Sequence, residues 1–113
     1  MPNWLVDGMN VIGSRPDGWW RDRRGAQRRL VAELEALGEP VTVVFDGRPH
    51  AIEAGRVEIA FAAVADDLIA ARAGEGVTVV TSDSGLAARA RSAGASVEGA
   101  GAFRHRLDEA LER

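Results

Sequence analysis

The sequence contains no cysteine and no lysine, and each absence excludes a class of chemistry. Without cysteine, the chain can form neither a disulfide nor a thiolate metal site. Without lysine, it can form no Schiff base and has no lysine to contact a phosphate group. It also lacks a run of about 20 apolar residues and a basic segment followed by an apolar stretch, so neither a membrane span nor a secretory signal is predicted. We therefore expect a cytoplasmic protein with no membrane partner.

The length of 113 residues predicts one domain, over residues 1–113, that is large enough for a single hydrophobic core. Hydrophobic residues make up 46% of the chain and charged residues 27%, a composition typical of a folded domain. With two histidines, the sequence offers no Ser-His-Asp arrangement and no zinc-ligand spacing. Nucleophilic catalysis by a side chain is therefore disfavoured.

Strand-like and helix-like segments alternate along the chain, which predicts an α/β protein. We expect a three-layer α/β/α sandwich with a mainly parallel sheet. Strands are predicted around residues 4–6 and 96–98 and in VTVVFDG, RVEIAFA and VTVVTSDSG, with RVEIAFA at a half-covered edge. Helices are predicted at about residues 23–37 and 102–111, in ADDLIAARAGEG, where Gly74 stops the helix, and in LAARARSAGA, and a loop should join the first strand to about residue 20.

Aspartates follow three of the predicted strands, and these are Asp7, Asp46 and Asp83. In a parallel sheet the carboxyl ends of the strands lie on one edge, where ligands bind. The tandem pair Asp66 and Asp67 opens the helix after RVEIAFA, which starts towards the same edge. The sequence therefore predicts a cleft lined by four or five carboxylates.

Such a cleft favours a divalent cation, because neighbouring carboxylates repel one another unless a positive charge is present. The candidate ligands are oxygens, which Mg²⁺ and Mn²⁺ prefer. A bound ion of this kind can activate water for attack on a phosphoryl group. Asn10, three residues after Asp7, adds a carboxamide that can orient a metal-bound water or a substrate oxygen.

Each acid also has a purely structural interpretation. An Asp-Gly pair after a strand is a common turn, and Asp66 can cap a helix that begins at Asp67. Asp83 or Ser84 can cap the helix that contains Leu86. The combination of three strand-end acids with a tandem pair favours the cleft over these separate explanations.

The segment SRPDGWWRDRRGAQRR, which follows the first acid site, is rich in arginine and tryptophan. Adjacent tryptophans beside arginines at helical spacing are typical of a surface that stacks bases and binds phosphates of single-stranded nucleic acid. In the alternative interpretation, a tryptophan seals the core and the arginines form a solvated helix face. The candidate nucleic-acid-binding residues are Arg15, Trp19, Trp20, Arg21, Arg24 and Arg28.

Four segments, in the order VDGMNVI, VTVVFDG, ADDLIA and VVTSDSGLA, resemble those of the NYN domains, a branch of the PIN-like ribonucleases, and especially the bacterial YacP-like group. The resemblance covers nearly the whole chain. It implies a PIN-like fold and metal-dependent cleavage of RNA phosphodiester bonds by an activated water, the reaction of an endoribonuclease. The expected partner is single-stranded RNA, and the ribosome or another ribonucleoprotein is a further candidate.

The resemblance also implies roles for individual residues. Asp7 and Asp83 match metal-site acids, and Asn10 matches the polar partner of the first acid. Asp66 and Asp67 match the tandem acids after the third strand. We expect Asp7, Asp67 and Asp83 to bind Mg²⁺ or Mn²⁺. Asp66 and Asn10 should assist catalysis. Asp46 and Ser84 should support the site.

Two positions depart from the family pattern. Met9 stands where many YacP-like sequences have tyrosine, and Ala87 stands where some PIN-like nucleases carry a further acid. The second departure favours a single well-held ion, with a second ion recruited by substrate phosphate.

Two other functions stay open. One is a catalytically weak module that binds RNA or a ribonucleoprotein and uses the acids for a structural ion. The other is a phosphoacceptor receiver domain, against which the missing lysine and the placement of the acids argue.

Overall fold

A computed structural model describes residues 3–112, and the strand-like segments form one five-stranded sheet there. All four strand pairings are parallel. The strands are β1 (Asn3–Asp7), β2 (Val41–Asp46), β3 (Glu58–Ala62), β4 (Val77–Val80) and β5 (Ser96–Glu98). The helices are α1 (Gly8–Gly13), α2 (Arg23–Leu37), α3 (Ala65–Arg72), α4 (Ser84–Ser92) and α5 (Ala100–Leu111), with a 3-10 turn at Trp19–Arg21.

The sheet lies between two helical layers, each with its own hydrophobic core. On one face, α1, α2 and α5 pack around Leu30, Leu34, Phe45 and Phe103. On the other face, α3 and α4 cover a smaller core around Ile69. The predicted α/β/α sandwich is therefore confirmed, and its sheet is entirely parallel. No helix within residues 3–112 has the length and apolar character needed to cross a membrane.

The strand order is β3-β2-β1-β4-β5, with the RVEIAFA strand at an edge as predicted. A receiver domain has the order 2-1-3-4-5, so the receiver alternative is wrong. The direction of strand addition reverses between β1 and β4. In parallel sheets the ligand site lies at this reversal, outside the carboxyl ends of the strands, which places Asp7 and the residues after Val80 beside it.

The expected loop from the first strand to residue 20 is wrong in its first part, because α1 starts directly after Asp7. This helix has glycine at both ends and Asn10 within it, and these residues have low helix propensity. The sequence therefore did not predict the helix. Burial of Val11 and Ile12 stabilises it instead. Gly8 is required at its start, because a Cβ there would overlap the Phe45 ring.

An ion-pair network joins α2 to α5 on the larger face. The Arg104 guanidinium donates two hydrogen bonds to the Glu33 carboxylate and two to Oδ1 of Asp108, the latter at 3.1 and 2.9 Å. The Arg104 side chain is 10% exposed, so these carboxylates compensate a buried charge. This network fixes the helices behind the site.

Candidate active site

Four carboxylates lie at the edge of the sheet where the strands end, and they interact electrostatically. Asp66 and Asp46 both raise the pKa of Asp7. Asp83 and Asp46 likewise raise the pKa of Asp66. The structure therefore brings together acids that are up to 76 residues apart in the sequence, because β1 and β2 end at this edge while α3 and α4 begin there.

Asp7 is the buried member of this acid group, with 5% of its surface exposed. The pKa of its carboxyl is raised from 3.8 to about 6, mainly by burial and then by the neighbouring acids Asp66 and Asp46. A hydrogen bond from Thr81 acts in the opposite direction. Ionised Asp7 is thus in an unfavourable environment that a nearby cation would relieve.

Thr81 connects two of the acids and was not singled out in the sequence. Its hydroxyl donates to Oδ2 of Asp7 at 3.1 Å and accepts the backbone N–H of Asp83, also at 3.1 Å. The side chain of Asp83 in turn accepts the N–H of Leu86 at 2.8 Å and caps α4. Ser84, predicted as a supporting residue, is the exposed first residue of that helix.

Asn10 lies on α1 and faces the loop that follows Thr81. Its Oδ1 accepts the backbone N–H of Ser82 at 2.7 Å. Ser82 Oγ accepts the N–H of Ala100 at 2.8 Å, which ties the same loop to the start of α5. Because Oδ1 is used by Ser82, the orientation of the Asn10 amide is fixed and its Nδ2 hydrogens are directed elsewhere.

Asp46 has a structural role that sequence reasoning had assigned to Asp66. Its Oδ1 accepts the N–H of Ala65 at 2.9 Å and so satisfies the first turn of α3 from the end of β2. The helix begins at Ala65, so Asp66 lies within its first turn and does not cap it. Asp46 therefore positions α3, and with it the tandem acids.

The two tandem acids point in different directions. Asp67 pairs with Arg89 on α4 at 3.0 Å, and its side chain is 68% exposed. Asp66 is partly buried and has a raised pKa, caused by burial and then by Asp83 and Asp46. Asp66, rather than Asp67, is the member of the pair that faces the other acids.

The acid group fits a hard cation, since its candidate metal-ligand atoms are all carboxylate or amide oxygens. Within residues 3–112, however, no three His, Asp or Glu side chains already lie close enough together to hold an ion. Mg²⁺ commonly binds through one or two carboxylates, with waters and substrate phosphate completing its octahedron. The geometry is compatible with this kind of site and not with a preformed three-carboxylate cage.

The two adjacent tryptophans occupy different environments beside the acid group. Trp19 packs against the larger core, whereas Trp20 is 54% exposed. Their rings make an edge-to-face contact, with centroids 5.9 Å apart. Trp19 therefore seals the core, as one interpretation of the pair predicts, and Trp20 is available for stacking on a base, as the other predicts.

The predicted arginines also divide into two groups. Arg15 pairs with Asp108 at 3.4 Å. Arg21, Arg24 and Arg28 are exposed, and none of them forms an ion pair within the described part of the chain. These three arginines place unpaired positive charges around the start of α2.

His50 anchors the loop after β2 beside these arginines. Its Nε2 lies 2.5 Å from Oε1 of Gln27, and the Gln27 amide donates to Met9 Sδ at 3.3 Å. Burial lowers the pKa of His50, and the charges of Arg24 and Arg28 lower it further. Gln27 is buried and was missed in the sequence, where it reads as part of a polar helix face.

Comparison with known proteins gives matches at the level of structure. No protein-family model and no curated protein sequence matches the chain. Two solved structures of Rae1 (YacP) from Bacillus subtilis do match, one of them a point mutant. The mutant is 26% identical with a TM-score of 0.83, and the match covers 100% of this chain and 79% of that one. The other is 27% identical with a TM-score of 0.76, covering 100% and 77%.

The YacP-like resemblance stated from four sequence motifs is thereby confirmed over the whole chain. YacP is a NYN-domain protein. The chain has a ribonuclease-like NYN fold, with its acids at the edge where ligands bind in such sheets.

Proposed function

We propose that this YacP-like chain is a metal-dependent endoribonuclease that hydrolyses phosphodiester bonds of single-stranded RNA. The observation that carries the proposal is the environment of Asp7, a buried carboxylate whose pKa is raised to about 6 beside Asp66 and Asp46. A fold gains nothing in stability from such an arrangement, because burial and like charge both oppose ionisation. Carboxylates kept in this state are typical of catalytic and metal-binding sites.

The cofactor in this proposal is Mg²⁺ or Mn²⁺. When bound, the ion would activate a water and offset the charge that develops on the phosphoryl oxygens. Asp7 and Asp83, which Thr81 links, are the first candidates to hold it. Asp66 adds negative charge on the α3 side of the same edge. Asp67 stays a proposed ligand only if its pair with Arg89 opens.

The chain's own groups would orient the substrate. Asn10, with its amide fixed by Ser82, can donate from Nδ2 to a phosphate or ribose oxygen without adding negative charge. Exposed Trp20 offers a face or edge for a base, and the unpaired arginines at the start of α2 offer charge to the backbone phosphates. Single-stranded RNA exposes the bases that such a surface requires.

A second candidate function is an RNA- or ribonucleoprotein-binding module with little or no turnover. Two observations favour it. The first is that Asp46 and Asp83 each use a carboxylate oxygen to bind the first turn of a helix. The second is that, within residues 3–112, no three ligand side chains are already grouped around a metal position. The two candidates share an RNA surface and differ in metal-dependent cleavage.

Cleavage of end-labelled single-stranded RNA, with and without Mn²⁺ or Mg²⁺, separates these candidates. The nuclease requires product formation that stops in EDTA and in both Asp7→Asn and Asp83→Asn. Asparagine is as good a helix cap as aspartate, so Asp83→Asn removes charge and keeps α4. Glu58→Gln is the matched control, because Glu58 is an exposed carboxylate at the start of β3, at the opposite end of the strands from the acid group.

Cleavage that persists in EDTA, or in both aspartate variants, would overturn the nuclease proposal. Salt-sensitive RNA binding without cleavage at any metal concentration would establish the binding module instead. Folding of each variant is checked by its circular dichroism spectrum and thermal midpoint.

A further inference from the structure

A groove lies between α1 and the start of α5, directly beside the acid group. Its volume is about 430 Å³, within the usual range of about 300–1,000 Å³ for small-molecule sites. Asn10 and Ser82, which hydrogen-bond to each other at the acid edge, form one end of it. The lining includes Met9, Asn10, Gly13, Ser14, Ser82 and Gly101.

We infer that this groove binds the nucleoside, base and ribose together, next to the phosphate that the enzyme cleaves. This inference rests on the proposed function and adds to it a substrate subsite. The chemistry of the lining carries it: none of the groove's side chains is ionisable, although charged groups occupy much of the surface nearby. A neutral, partly apolar group fits such a lining, whereas a free phosphate does not.

The polar atoms of the groove suit a nucleoside. The Asn10 amide presents two Nδ2 hydrogens in a fixed orientation, and these can bond to ribose hydroxyls or to carbonyl and ring-nitrogen acceptors of a base. Ser82 Oγ is also at this end of the groove. The thioether of Met9 supplies a polarisable apolar surface for a flat ring.

The groove exists because glycine occupies two positions on opposite walls. A Cβ at Gly101 would meet no atom within 4 Å, and a Cβ at Gly13 would meet only the Trp19 ring, at 4.0 Å. Both glycines therefore border open space. The Gly13 end of the groove also lies near the tryptophan pair, since a Cβ at Gly13 would be 4.0 Å from the Trp19 ring.

Substitution of either glycine tests the groove, and at Gly101 the new side chain meets no neighbouring atom within 4 Å of its Cβ. Gly101→Leu and Gly13→Leu place a side chain in the space, and at Gly101 leucine also favours the helix. Gly74→Leu is the matched control, since a Cβ at Gly74 also meets nothing within 4 Å and the residue lies between α3 and β4, at the opposite edge.

The first measurement uses the whole ¹⁵N-labelled chain, with adenosine and uridine 5′-monophosphate as probes and inorganic phosphate as the arm without a nucleoside. We expect the nucleotides to shift the amide resonances of Gly13, Ser82 and Gly101, and phosphate alone not to do so. Each leucine variant in the groove should weaken nucleotide binding by about tenfold, and Gly74→Leu should not change it. Equal shifts with phosphate alone, or unchanged binding in both groove variants, would overturn the inference.

RNA cleavage by the same three variants separates this inference from the proposed function. If the unmodified chain cleaves RNA and both groove variants do so equally well, the groove is not a subsite and the nuclease proposal stands. If nucleotides bind in the groove but no metal-dependent cleavage is found, the nucleoside site stands and the nuclease proposal fails.

Discussion

Thr81 donates a hydrogen bond to the carboxylate of Asp7 from the end of the neighbouring strand, at 3.1 Å. The same hydroxyl oxygen accepts the backbone N–H of Asp83. One side chain therefore sets the position of the buried acid and of the loop that carries the third acid. Thr81 is 2% exposed, so both bonds are shielded from water.

Replacement of Thr81 by valine, which has nearly the same shape, should affect both acids. The hydrogen bond from Thr81 lowers the pKa of Asp7, so its loss should move that pKa above its value of about 6. The Asp83 N–H also loses its acceptor, and we expect the free energy of unfolding to fall by about 1–3 kcal/mol. Carbon-detected NMR of the Asp7 carboxyl and urea unfolding measure these two effects. Thr81→Ser keeps the hydroxyl and should restore the pKa; the same pKa in the valine and serine variants would contradict the prediction.

The fold could be predicted from the sequence because its signals are local. The first four residues of VTVVFDG are all β-branched and three of them are valine, which is typical of a central parallel strand with two buried faces. The α2 helix has the predicted bounds, residues 23–37, because its leucines recur at helical spacing and Gly38 ends it. The short helix α1 was missed because tertiary burial of Val11 and Ile12 stabilises it, and this overrides the poor helix propensity of its glycines.

The site could be predicted only in outline. Strand-end acids are visible in a sequence, but the direction of a carboxylate depends on its partners in space. Asp67 turns to Arg89, 22 residues away, and Asp46 caps a helix that begins at Ala65. Thr81 was missed because a single threonine after a strand carries no signal until its distance to Asp7 is known.

The raised pKa of Asp7 predicts that its charge destabilises the fold at neutral pH. The pKa rises from 3.8 to about 6 on folding, which corresponds to about 3 kcal/mol. The folded chain binds the proton more tightly, so this contribution to stability is present below about pH 4 and is lost as the pH rises through about 6. Thermal unfolding between pH 4 and 8 should show Asp7→Asn to be more stable than the unmodified chain at pH 8 by about 1–3 kcal/mol, with the difference vanishing near pH 4.

Metal addition provides the control for this pH effect. A cation at Asp7 favours the ionised carboxylate. Addition of about 10 mM Mg²⁺ should therefore raise the thermal midpoint of the unmodified chain at pH 8, because the ion binds the folded state. The midpoint of Asp7→Asn should respond much less. An equal response of both proteins would show that the ion binds elsewhere.

The different directions of the tandem acids predict unequal effects of their substitution. Asp66 faces Asp83 and Asp46, whereas Asp67 is exposed and paired with Arg89. Asp66→Asn should weaken Mn²⁺ binding by about 10- to 100-fold, and Asp67→Asn should weaken it far less. Calorimetric titration of Mn²⁺ into each variant measures the difference. A larger loss in Asp67→Asn would mean that this carboxylate leaves Arg89 to bind the ion, as the tandem-acid resemblance implies.

The tryptophan pair predicts a separation of RNA binding from stability. Trp20 is 54% exposed, so Trp20→Ala should weaken binding of single-stranded RNA by about 1–3 kcal/mol and leave the thermal midpoint nearly unchanged. Trp19 packs against the core, and Trp19→Ala should lower the free energy of unfolding by about 2–4 kcal/mol. Fluorescence anisotropy of a labelled RNA and thermal unfolding report the two effects. If both variants bind RNA as tightly as the unmodified chain, the tryptophans are not part of the RNA surface.

The arginines at the start of α2 predict how RNA affinity depends on salt. Arg24 and Arg28 are exposed and form no ion pair within residues 3–112, so contact with RNA phosphates requires no existing pair to break. Alanine at either position should reduce the slope of log affinity against log salt concentration by about 0.7, the value for one phosphate contact on single-stranded nucleic acid. Arg72→Ala is the matched control, because Arg72 pairs with Glu58 at the opposite edge of the sheet and should leave the slope unchanged. The same slope in all four proteins would place the RNA on another face, since a strand that crosses the start of α2 must displace counterions there.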